Sequence, residues 1–233
     1  KPFFVSEWDE PWPNEWRAEL PVWIAAISAF QEWNGLTVYT YRHSSAVPID
    51  RISGAFETFN DPARFGLFAH CALIYRRGDV NPAREKVAIH IPEGLAVSAQ
   101  SPGPWNAPAY RGLSEINRFD TALFTRPEGY NRVVESSEPS EVPDDVRVSD
   151  TGQISRNILQ RVGKVDSPRS QAVFGFLREA GPQQTGDMTV DSETKFATIA
   201  LSSLTDEPIA RSSKLLLAAV GRAENTGFRY NML

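Results

Sequence analysis

The chain has 233 residues, a formal net charge of -5, and 23% charged against 41% hydrophobic residues. That is the balance of a folded globular protein rather than a disordered or coiled-coil one. An acidic chain with no Lys/Arg cluster has no electrostatic footprint for nucleic acid, and no apolar run approaches the roughly 20 residues that span a bilayer. The single cysteine, Cys71, excludes an internal disulfide, and His43, His70 and His90 lack metal-ligand spacing, so no metal site is expected.

From the N-terminus, Pro2-Phe3-Phe4-Val5 is a short apolar run that ends in Ser6-Glu7-Trp8. A run of this kind fits a strand buried on both faces, as in a parallel sheet. Pro11 and Pro13 mark a loop, and Asn14 is a good N-cap. From Glu15 to Trp33 the apolar residues recur at three and four, which predicts a helix. Pro21 either kinks it or marks a regular part that starts near Leu20. Asn34-Gly35 stops it. Leu36–Tyr41 is rich in β-branched and aromatic residues and predicts a second strand. A polar loop follows over 44–60, then Asp61-Pro62 as N-cap and first helical residue, a helix over Arg64–Arg77, and Gly78 as its stop. Residues 1–80 thus spell strand–helix–strand–helix, the pattern of a parallel α/β fold.

Past Pro82 the period changes. Lys86–Ile91 alternates like a half-buried strand, Pro102, Pro104 and Pro108 mark a long loop, and Arg111–Phe119 suggests a short helix. The acidic stretch 135–145 is a solvated connection. Short strands are expected at 146–149, 153–165 (as a broken hairpin), 171–177, 187–191, 196–203 and 215–220. Their turn-bounded spacing predicts an antiparallel β-sandwich over residues 81–233.

Five of the six Trp precede residue 34. Glu7 stands just after the apolar part of its strand, and in a parallel barrel functional side chains sit at the carboxyl ends of strands. A carboxylate there can act as a nucleophile or acid/base group. Trp8 and Trp12 could form platforms for the C–H faces of sugar rings. Alternation along the second strand places Tyr39, Tyr41 and His43 on one face. Trp16, Trp23 and Trp33 are read as packing between helix and barrel, Cys71 as a small buried hydrophobe. Arg77-Gly78-Asp79 is read as a helix C-terminus rather than a displayed tripeptide.

The run KPFFVSEWDEPWPNEWRAELPVWIAAISAFQEWNGLTVYTYRH resembles the end of the catalytic (β/α)8 barrel of a large clan of retaining glycoside hydrolases. It looks like strand seven, helix seven and strand eight, with 61–78 as helix eight. The runs DTGQI, DSPRSQAVFGFL, FATIALSSL and LLLAAVGRAENTG resemble the β-rich C-terminal region of cellulase-like and β-galactosidase-like members. The resemblance covers most of the chain and is weakest over 95–140. It implies the last two β/α units of a TIM barrel over 1–80, followed by the sandwich. It implies Glu7 as the nucleophile, with Trp8, Trp12, Tyr39, Tyr41 and His43 around an oligo- or polysaccharide substrate and no cofactor. The clan's acid/base glutamate ends strand four, which would lie upstream of Lys1. Glu15 and Glu19 fall on the following helix, which a barrel places outside. The chain is therefore expected to be part of a longer protein and inactive alone, lacking the N-terminal part of the barrel. No nucleic acid or membrane partner is expected. The competing expectation is a non-catalytic carbohydrate-binding or scaffold β-sandwich module. The sequence leaves secreted and cytoplasmic placement equally open.

Overall fold

The computed structural model describes residues 2–97 and 108–229. The first third runs β1 (Phe4–Trp8), α1 (Leu20–Phe30), β2 (Gly35–Val38), α2 (Pro62–Phe65) and α3 (Phe68–Arg76). β1 and β2 pair in parallel, with Phe4 opposite Gly35 and Trp8 opposite Val38. The expected strand–helix–parallel strand unit is present. Asn14 caps a turn, accepting from the Trp16 amide at 2.8 Å, but the regular helix waits until Leu20. Pro21 is its opening turn rather than a kink, since proline's missing N–H costs nothing there. The helix expected over 64–77 is broken at Gly66-Leu67. A Cβ at Gly66 would meet the Pro62 carbonyl oxygen at 2.7 Å, so the junction between α2 and α3 needs glycine. No residue of α1 is exposed, and among the described residues no helix is long and apolar enough to cross a membrane.

The middle of the chain departs from expectation. β3 (Lys86–Pro92), β4 (Arg118–Phe124) and β5 (Arg132–Glu135) form a three-stranded sheet in the order β4-β3-β5, and both neighbours run parallel to β3. The chain from about residue 85 is therefore not uniformly antiparallel. Nor is β3 half-buried: Val87, Ala88, Ile89, His90 and Ile91 are all buried. A central strand is shielded on both faces. Its apparent alternation rested on Ala88, which is apolar, and on His90, whose ring pairs with Glu135. Short helices α4 (Glu93–Ala96) and α5 (Leu113–Ile116) fall between β3 and β4. The expected Pro-rich loop falls mostly on 98–107, outside the described residues.

The remainder is a six-stranded antiparallel sheet. It contains β6 (Val146–Val148), β7 (Ile154–Asn157), β8 (Val162–Asp166), β9 (Ser170–Gly175), β12 (Ala197–Ser203) and β13 (Leu215–Gly221), ordered β13-β12-β9-β8-β7-β6. A small hairpin, β10 (Gln183–Gln184) with β11 (Thr189–Val190), and α6 (Leu177–Ala180) lie between β9 and β12. These strands match the sequence positions closely, yet they do not make a sandwich. Helices, not a second antiparallel sheet, cover the face of the six-stranded sheet. One core joins Val22, Ala26 and Phe30 of α1 and Ile74 of α3 to Ile154, Val165, Phe174 and Ala200. It unites residues on both sides of Pro82. Trp23 packs on Phe174, and Trp16 on Phe176 and Phe196. These two tryptophans thus serve the six-stranded sheet, whereas Trp33 packs on Phe3.

The end of α3 is locked to the sheet by a buried hydrogen-bond chain. Asp79, 4% exposed, takes Arg77 and Arg169 as ion partners and accepts from the Ser170 hydroxyl at 2.6 Å. The Arg77-Gly78-Asp79 tripeptide is accordingly folded inward. Since Ser170 spends its proton on Asp79, Ser202 must donate to Ser170 at 2.8 Å. Ser202 in turn accepts from His70 Nδ1 at 2.9 Å. This fixes the His70 tautomer and leaves Nε2 a buried lone pair with no protein partner.

Burial pushes the His70 imidazole down to about 4. The unfolded chain then binds a proton near pH 6.5 that the folded chain refuses. Stability is fully present above that value and is lost as pH falls toward about 4, by about 2–3 kcal/mol in all. His70→Asn is expected to flatten this limb. Urea midpoints at pH 7 and 4.5 should differ more for the native protein than for the variant, and equal differences would refute the assignment.

Candidate functional site

The carboxyl ends of β1 and β2 lie side by side, since the Tyr39 amide donates to the Trp8 carbonyl at 3.1 Å. Side chains alternate along a strand. Phe4 and Trp8 of β1 and Leu36 and Val38 of β2 line a cleft of about 520 Å³ toward the helices. A register shift between Val5 and Trp8 interrupts the alternation in β1, and neither Glu7 nor Tyr39 lines that cleft. Glu7 is exposed, and among the described residues its carboxylate has neither a hydrogen bond nor an ion pair.

Beyond Val38 the chain leaves β2 and pairs with the segment 56–59. Thr40 donates to Phe56 O at 2.9 Å, Thr58 to Thr40 O at 3.0 Å and Phe59 to Tyr41 O at 3.2 Å. This turn brings Glu57 beneath His43. Glu57 is 3% exposed, and its carboxylate meets His43 Nδ1 at 2.6 Å and the His43 amide at 3.1 Å. A carboxylate only accepts, so Nδ1 carries the proton. His43 Nε2 then faces the Tyr39 hydroxyl at 3.1 Å, and the two rings meet edge to face at 5.2 Å. Glu57, His43 and Tyr39 therefore form a relay that runs from a buried charge to a half-exposed phenol. With Nδ1–H directed to Glu57, the phenol donates its hydrogen bond to Nε2, and its oxygen keeps lone pairs toward solvent.

A second layer of buried charge holds the loops that carry these groups. Arg17 grips Asp61 in a fork, Nε to Oδ2 at 2.6 Å and Nη2 to Oδ1 at 2.9 Å. Arg64 Nε reaches the same Oδ2 at 2.8 Å. Arg64 continues to the Asp9 carboxylate and to the Glu57 carbonyl. Arg17, Asp61 and Arg64 are each 1% exposed or less. Burial pushes the Asp9 carboxyl upward against the pull of Arg64. Asp61 also fills its expected capping role, accepting from the Ala63 amide at 3.1 Å. The C-terminal segment closes the rim: Asn225 exchanges hydrogen bonds with the backbone of Ile52 at 2.9 and 2.7 Å, and the Ala223 carbonyl accepts from Arg17 at 2.7 Å.

The structure thus gathers Glu7, Tyr39 and His43 at one end of the strand pair and sends the other three residues elsewhere. Trp8 lines the cleft toward the helices and packs on Phe68 at 6.1 Å, and its Nε1 is buried without a hydrogen-bond partner among the described residues. Trp12 is 9% exposed, covered by Phe228 at 4.6 Å and by the Arg17 guanidinium at 4.7 Å. It is packing, not a sugar stack. Tyr41 does not share a face with Tyr39, because the strand has already ended; it meets Phe59 and Phe65, each at 5.9 Å. Cys71 is held protonated, its thiol pushed up to about 12 by burial.

Sequence reasoning missed Glu57 and the Arg17–Asp61–Arg64–Asp9 network. Glu57 lies 14 residues past His43 in an aperiodic loop, where nothing in the spacing marks it. Asp61 was visible only as a cap. Comparison of the chain with protein-family models, with curated proteins and with solved structures returned no match.

Proposed function

We propose that this chain supplies the nucleophile half of a retaining glycoside hydrolase and forms the last two β/α units of its (β/α)8 barrel. The observation that carries the reading is Glu7, an exposed carboxylate at the carboxyl end of β1 with no ion pair or hydrogen bond among the described residues, outside the helix-lined cleft and one strand from the Glu57–His43–Tyr39 relay. Retaining hydrolysis places two carboxyl groups about 5–5.5 Å apart. Glu7 attacks the anomeric carbon, the bond to the leaving oxygen breaks, and a second carboxyl protonates that oxygen. Water then cleaves the glycosyl ester and the second carboxylate takes its proton. Glu57 is spent on His43 and Asp9 on Arg64; the acid/base carboxyl is the one that the resemblance assigns to the strands completing the barrel. Tyr39, its proton directed to His43, offers lone pairs to a sugar hydroxyl. Two parallel strands with free outer edges do not enclose a substrate, so the 233 residues alone are proposed to be inactive.

The test is to trap the intermediate. A 2-deoxy-2-fluoro-glycosyl fluoride slows breakdown of the glycosyl ester, so the protein containing this chain should gain one fluorosugar mass, mapped by peptide mass spectrometry to Glu7. Gluco- and galacto-configured reagents should both be tried. An adduct on another residue, or turnover of a glycoside with no adduct at all, would overturn the assignment and favour the non-catalytic reading of this chain.

A further inference from the structure

A second cleft, of about 310 Å³, opens between the start of α1 and the β7–β8–β9 face of the six-stranded sheet. Ligand sites begin at about this size. Its floor is Gly163 and the Phe174 ring; a Cβ at Gly163 would sit 2.2 Å from that ring, so the floor exists only with glycine there. Two guanidiniums stand at its walls, Arg156 over the Trp23 ring at 5.5 Å and Arg161 over the Phe176 ring at 4.0 Å. Arg156 Nε lies 3.3 Å from the Glu115 carboxylate as an ion pair without a formed hydrogen bond, and Arg161 approaches Glu179 only to 4.0 Å. Most of their N–H groups are therefore free for a ligand. Opposite them is the Glu19 carboxyl, which makes no hydrogen bond among the described residues.

We infer that this cleft binds a carboxylated sugar of monosaccharide size, a hexuronate, with its carboxylate on Arg156 and Arg161 and its hydroxyls on Glu19. A planar fork of N–H donors matches a carboxylate. The aromatic lining suits the C–H face of a ring, and a lone carboxyl facing two arginines asks for hydroxyl partners rather than a second bare anion. The site stands apart from the Glu7 end of β1 and does not depend on the hydrolase reading.

Burial, with the nearby Glu10 charge adding to it and Arg156 opposing, pushes Glu19 up to about 7. The charged groups around it are Glu10, Arg156 and Arg161, with Glu115 and Glu179 behind the arginines. Below that pH Glu19 is neutral, can donate as well as accept, and no longer repels the sugar carboxylate. Affinity should therefore rise as pH falls from 8 to 5.5.

Isothermal titration with D-glucuronate tests this, with D-glucose and cyclohexanecarboxylate as controls. Saturable glucuronate binding is expected, weakened by about tenfold or more in Arg156→Ala and in Arg161→Ala. Both controls should bind more weakly. Glu19→Gln should bind with no dependence on pH over this range. Both arginines are partly exposed, so the thermal midpoints of the variants should match the native protein and separate lost binding from lost folding. Glucuronate binding that is absent, or unchanged in a folded Arg156→Ala/Arg161→Ala double variant, overturns the site. Equal binding of D-glucose overturns the role of the carboxylate, and equal binding of cyclohexanecarboxylate overturns that of the hydroxyls.

Discussion

Glu7→Gln in the assembled enzyme is expected to lower turnover by about four orders of magnitude or more, the scale of losing a covalent catalyst. Glutamine keeps the shape of the side chain but removes the charge proposed to attack the anomeric carbon. Glu7 is exposed and among the described residues has no hydrogen-bond partner, so the change leaves no such neighbour unsatisfied and the thermal midpoint should not move. Loss of turnover with unchanged stability therefore isolates chemistry from folding. A companion variant gives a positive signal. Glu7→Ala opens space for azide, which should restore turnover and yield a glycosyl azide of inverted anomeric configuration. Near-native turnover in the glutamine variant would remove Glu7 from the mechanism.

The largest stability effect is expected at Asp61. Its two oxygens hold Arg17 and Arg64, and all three side chains are essentially inaccessible. With Asp9 added, two cations meet two anions and the buried network is neutral. Asp61→Asn keeps the volume and removes one negative charge, leaving a buried positive charge uncompensated. Breaking a buried pair from one side costs about 3–5 kcal/mol. Urea denaturation should show the midpoint falling by the corresponding amount with the slope unchanged. A shift worth less than about 1 kcal/mol would mean that water reaches these arginines. Because Arg64 also binds the Glu57 carbonyl, the His43–Tyr39 relay should loosen in the same variant.

The first third of the fold was legible because its signals are local. An apolar run, a helix-period stretch bounded by Asn14 and Gly35, and a β-branched run fixed β1, α1 and β2 within a few residues. The strand-end position of Glu7 followed directly. The placement of Trp8 was out of reach because β1 is irregular between Val5 and Trp8, and alternation counted along the sequence does not carry across such a shift. The strands of the six-stranded sheet were equally legible, but what covers them was not. Alternation reports that one face is buried and is silent on whether a sheet or a helix buries it. The uncharged run Leu20–Phe30 held the missing hint, since a helix apolar on every side must be covered on every side. The parallel pairing of β3 was out of reach for a similar reason, because register is a relation between segments.

The doubly covered helix α1 has a consequence for how the protein is made. β7, the first strand of the six-stranded sheet to join the core around it, begins 124 residues after Phe30. At ordinary rates of synthesis that interval lasts roughly 6–25 s. Over that interval α3 is available to one side of these 11 uncharged residues, but the side that meets the six-stranded sheet has no cover. Their eventual neighbours Phe174 and Ala200 arrive later still. The nascent chain thus carries an uncharged helix with one apolar side open, and the Glu7 end of the molecule, which the C-terminal segment helps to close through Arg17, is completed only when the last strands are delivered.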